Sequence, residues 1–232
     1  MEMAKVTAHI SYDDTSRLAT RIGVSVFRDP TWAKAILADP AVRPICEARY
    51  TDQRKDDLST VASSVQRRLE AVDELGTQLS KHLEEANRLA GNLWGHPRAV
   101  TCLVIASTSL ITELWASFDN LAQFYLVFLK HILRKRISGR HASEEIAHFS
   151  GDPKTVAVLA GWRDAVLHRG ALSPILWGPD ASGAKQSEFR LSVPPSDTQH
   201  ISFDELTRCR QLLGHAIGAL ESHLIERISQ ET

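Results

Sequence analysis

Between Asp56 and Leu93 apolar residues return at steps of three and four, through Val61, Val65, Leu69, Val72, Leu79 and Leu83. Arg67, Arg68, Glu70, Asp73, Glu74, Lys81 and Glu84 fill positions between them. A period near 3.6 puts the first set on one stripe and the second on the opposite side, which predicts a long amphipathic helix. Gly91, Gly95 and Pro97 interrupt the pattern. Pro97 suits the first turn of a second long helix, because the N–H it lacks would have no partner there. That helix is expected to run to about Arg136. Two long helices joined by a short break predict an antiparallel hairpin.

Further along, Ser143 and Glu145 mark the start of a short helix ending near Phe149. Gly151-Asp152-Pro153 opens another helix, which Gly170 is placed to stop. ALSPILW and EFRLSV flank the turn-rich GPDASGAKQS and predict a β-hairpin, with Pro174 confining its first strand to an edge. Ser202 and Glu205 form an S-x-x-E capping box before a final helix from Phe203 to about Ile228. The expected fold is all-α, a helical bundle built on a long antiparallel helical hairpin with a small β-hairpin inserted before the C-terminal helix. Residues 1–55, with shorter helical patterns at Thr15–Phe27 and after Pro30, read as an N-terminal helical extension, and 56–232 as the main helical domain.

One stretch changes the picture if taken alone. Ala99–Ser117 is long and apolar enough to suggest a membrane span. Its Ser and Thr residues, Glu113, and a helical pattern continuing through Asp119, Asn120 and Gln123 favour a bundle helix buried on most sides. No membrane association is expected. The 232 residues carry a formal net charge of −1, so no global basic field is available to hold nucleic acid, and such a role must rest on a local patch. The three cysteines, Cys46, Cys102 and Cys209, are far apart and form no C-x-x-C pair. Neither a disulfide framework nor a zinc site is expected, a reducing cytoplasmic setting fits, and Cys102 reads as a small core residue.

The chemistry concentrates in Gly161-Trp162-Arg163-Asp164-Ala165-Val166-Leu167-His168-Arg169-Gly170. An arginine followed by an acidic residue, then a histidine five residues after the arginine, with H-R-G closing the run, resembles the signature of the HEPN superfamily. Two other pairs share the spacing, Arg136 with His141 and Arg210 with His215, but neither arginine is followed by Asn or Asp. The order of elements is also similar to that family: a long helical hairpin, a shorter helix carrying the motif, then a final helix. The resemblance covers about Asp56 to Ile228. Where one branch has a tyrosine two residues after the histidine, this chain has Gly170.

The resemblance implies a metal-independent endoribonuclease without a cofactor, a toxin or effector in a bacterial defence or toxin–antitoxin system. RNA would be cleaved to 2′,3′-cyclic phosphate and 5′-hydroxyl ends. In that reading His168 exchanges protons with the 2′-hydroxyl or the leaving oxygen, since imidazole titrates near ~6.5. Arg163 meets the charge building on the phosphate, and Asp164 orients one of them. Glu113 is the further acidic group, with Asp119 and Asn120 alongside, and Arg169, Asn120, Arg136 and Arg140 are the substrate-binding candidates. Residues five apart on a regular helix point about 140° apart. The resemblance, in which the motif helices of two protomers meet at a twofold axis, implies a homodimer that pools Arg163 and His168 in a composite site, together with an antitoxin or regulatory partner. The alternative is a HEPN-like binding or dimerisation module without catalysis. Lys130, His131, Arg134, Lys135, Arg136, Arg140 and His141 crowd one stretch. They read either as an RNA-backbone contact or as cations favoured by a helix C-terminus.

Overall fold

A computed structural model describes residues 52–89, 95–168, 172–177, 188–193 and 196–230. The expected helices at Thr15–Phe27 and after Pro30, Cys46, Gly91, Arg169 and Gly170 lie outside the described residues. The elements run α1 (Asp52–Arg88), α2 (Pro97–His131), α3 (Gly139–Phe149), α4 (Pro153–His168), β1 (Ser173–Trp177), β2 (Glu188–Val193), β3 (Ser196–Ser202) and α5 (Phe203–Ser229). This is the all-α bundle with a small β insert before the last helix that the hydrophobic pattern predicts.

Two compact units divide these elements. In the first, residues 52–70, Ala116–Val156 and 210–230 bury Leu69 of α1, Phe124 and Phe128 of α2, Ile146 of α3, and Ala216 and Leu220 of α5. Here Asn120 Nδ2 donates to Ser64 Oγ at 3.1 Å, tying α2 to α1. In the second, Ala71–Trp115 and the described part of Ala157–Cys209 bury Leu79 of α1, Leu103, Leu110 and Leu114 of α2, Leu159 and Trp162 of α4, and Cys209 of α5. There His82 and Glu85 of α1 line the same pocket as Arg98 and Cys102 of α2. Residue 64 paired with 120, and 82–85 with 98–102, is the order of an antiparallel hairpin.

By length and composition α2 is able to cross a membrane. In the structure its apolar side supplies core to both units, and its hydroxyls turn inward on the helix itself. Thr101, Ser107 and Thr112 each donate to a carbonyl four residues back. Cys102 is half-buried rather than a core residue, whereas Cys209 is buried.

Helix ends show where local signals decide. Asp152 caps α4, its Oδ1 accepting from Thr155 N at 3.1 Å. The predicted capping box of α5 is reciprocal: Glu205 N donates to Ser202 Oγ at 3.2 Å, and Ser202 N to Glu205 Oε2 at 2.7 Å. Two expected boundaries are corrected. α2 stops at His131, not Arg136, because Arg134 turns to φ 53° and Lys135 N reaches back to Leu129 O at 3.0 Å. α3 starts at Gly139 under a Ser138 cap rather than at Ser143, whose hydroxyl instead donates to the Gly139 carbonyl.

The predicted hairpin is present as β1 and β2, antiparallel, with Pro174 on the edge strand opposite Leu191. A third strand, β3, pairs antiparallel with β2 and makes the order β1-β2-β3. Leu191 and Val193 alternate inward along β2, and Leu191 pairs across with Ile201, both fully buried.

Candidate functional site

α4 places the motif. Leu159, Trp162 and Ala165 face inward, buried to 7% exposure or less, and fix the helix by packing. Ala157, Gly161, Asp164 and His168 recur at three- and four-residue steps on the opposite, exposed side. Val158 and Leu167 flank them and are about half exposed, at 49% and 48%.

Arg163 Nη1 donates to Asp164 Oδ1 at 2.8 Å, so the two neighbours form a direct ion pair at the edge of this face. With side chains 35% and 59% exposed, the pair is open to solvent and worth at most about 1 kcal/mol. His168 is the last residue of α4 and is exposed. Because α4 stays helical from Arg163 to His168, their side chains leave the axis about 140° apart. One chain therefore does not converge the guanidinium and the imidazole on a single atom.

The remaining expected residues are distributed along the chain. Glu113 is half-buried on α2 and is engaged by a neighbour. Asn120 holds α1 through Ser64, and Asp119 is exposed. Arg136 is exposed beyond the end of α2. Arg140, in the first turn of α3, pairs with Glu144 at 2.8 Å. That hydrogen bond holds the Glu144 carboxyl below its ordinary range.

Two groupings escaped the sequence reading, since each gathers residues distant in sequence. An open pocket of about 490 Å3 is lined by His82, Glu85, His96, Arg98 and Cys102. In the other unit Tyr125, Glu145, His223 and Arg227 form a polar cluster, with the Phe149 ring T-shaped to Tyr125 and tilted against His223. Among the described residues, no group of three or more His, Cys, Asp or Glu side chains is arranged to hold a metal ion. No family model, curated protein or solved structure matches the chain.

Proposed function

We propose that this protein is a HEPN-type, metal-independent endoribonuclease acting in the cytoplasm as a toxin or effector of a defence or toxin–antitoxin system. The observation that carries the reading is the exposed face of α4, which presents Asp164 and His168 with the Arg163–Asp164 ion pair at its margin. RNA brings its own nucleophile, the 2′-hydroxyl. His168 exchanges the proton that this attack releases or that the departing 5′-oxygen needs, and Arg163, freed from Asp164, faces the developing phosphorane charge.

Divergence of Arg163 and His168 around α4 makes a composite site the economical solution. Two copies of the helix, crossing at Ala157 and Gly161, bring the arginine of one protomer toward the histidine of the other. Small residues at such a crossing let backbones approach closely.

The test is cleavage of mixed tRNA and mRNA in EDTA, with His168→Ala as control. Ends bearing 2′,3′-cyclic phosphate, lost in the variant, support the reading. Equal inertness of two folded, dimeric proteins supports the second reading, a non-catalytic dimerisation module. The Arg163–Asp164 pair favours that second reading to the extent that it already neutralises the arginine.

A further inference from the structure

The α2–α3 corner holds its arginines against two local preferences. Arg134 adopts φ 53°, a left-handed conformation that glycine takes freely and that a side chain with a Cβ takes at a cost. Arg140 stands in the first turn of α3, where the helix dipole disfavours a cation and where no acidic residue is present. Attraction of cations to a helix C-terminus accounts for Lys130 and His131 in the last turn of α2. It accounts neither for Arg134 in place of glycine, nor for Arg136 beyond the helix, nor for Arg140 at the opposite kind of terminus.

Lys130, Arg134, Arg136 and Arg140 are all exposed, and of these four only Arg140 has an ion-pair partner among the described residues, Glu144, itself at the surface. Arg134 and Arg136 are two residues apart, at most about 7 Å along the chain. That is a reach suited to successive phosphates of one strand. Among the described residues the exposed large apolar ones are Ile105, Val158 and Leu167, none of them in this stretch, so the corner's described residues lack the apolar component of a membrane-binding surface.

We propose that this corner is a docking surface for the phosphate backbone of single-stranded RNA, with Arg134 kept in a strained conformation for that contact. The inference rests on the proposed function for the choice of RNA, not for any chemical step.

The experiment uses the full chain and a 2′-O-methylated RNA 20-mer. This probe lacks the nucleophile, so binding is read whether or not the protein cleaves RNA. Wild-type affinity should fall as salt rises. Lys130→Ala, Arg134→Gly and Arg136→Ala together should flatten the slope of log K against log salt by about 2. Arg134→Gly alone separates function from structure. Relief of the left-handed strain should raise Tm by about 2–4 °C, while RNA affinity drops about fivefold. A raised Tm with unchanged affinity overturns the proposal. So does a wild-type protein that binds phosphatidylserine vesicles but not the RNA.

Discussion

Tyr125 Oη and His223 Nε2 lie 3.1 Å apart, joining the C-terminal end of α2 to the C-terminal half of α5 inside one unit. Arg227 Nε donates to the same nitrogen at 3.2 Å, so Nε2 is an acceptor and the hydrogen-bond network assigns the ring proton to Nδ1. Glu145 of α3 is near enough to the phenol to raise its pKa, and His141 lies 3.6 Å from that carboxylate. Three helices thus meet on one phenol that is 1% exposed.

This cluster predicts how stability depends on pH. Burial and then Arg227 lower the pKa of His223, against the opposing pull of Glu145 and Glu226. Protonation is therefore easier in the unfolded chain, and stability falls as pH drops below about 6.5, through the folded-state value. Tyr125 acts at the other end. Burial, then the hydrogen bond to Glu145, raises its pKa, so the unfolded chain loses that proton first and stability falls as pH climbs above about 10. Urea unfolding across pH should show highest stability between these limits. In His223→Asn the acid limb should flatten by up to about 1.4 kcal/mol per pH unit. An unchanged limb would mean the imidazole titrates alike in both states.

Mixing two inactive variants tests the composite site. Arg163→Ala and His168→Ala should each abolish cleavage. If Arg163 of one protomer works with His168 of the other, a mixed dimer keeps one intact pair, and re-equilibrated mixtures should regain about a quarter of wild-type activity. No recovery from mixtures that exchange subunits would place both groups in one protomer's site.

Gly161 gives a separate probe of the α4 face. A Cβ added there meets nothing within 4 Å, and the position is an exposed helix interior. Gly161→Ala should therefore stabilise the protein by about 1 kcal/mol through helix propensity alone, read as a raised Tm. Gly161→Trp should fold equally well but shift a dimer toward monomer in analytical ultracentrifugation. A tryptophan variant that stays dimeric would move the interface off this face.

Helices with strong local signals were legible before any coordinates. The stripe through Val65, Leu69 and Val72 marks α1, Pro97 starts α2, and Asp152 and the Ser202–Glu205 box cap α4 and α5. In each case the information lies within one or two turns, where periodicity and capping act. β3 was missed because SDTQHIS lacks apolar alternation: it becomes a strand by pairing with β2, through contacts such as Leu191 with Ile201.

The sequence by itself determined the helical bundle and the position of the insert before its last helix. Tertiary structure alone decided that the Arg163–His168 segment presents Asp164 and His168 outward, that Asn120 reaches Ser64, and that Tyr125 meets His223. The last two contacts span 56 and 98 residues of chain. Turn chemistry and helical period act over a few residues. Which distant side chains meet depends on the packing of whole helices, a property of the assembled core that no short stretch of sequence contains.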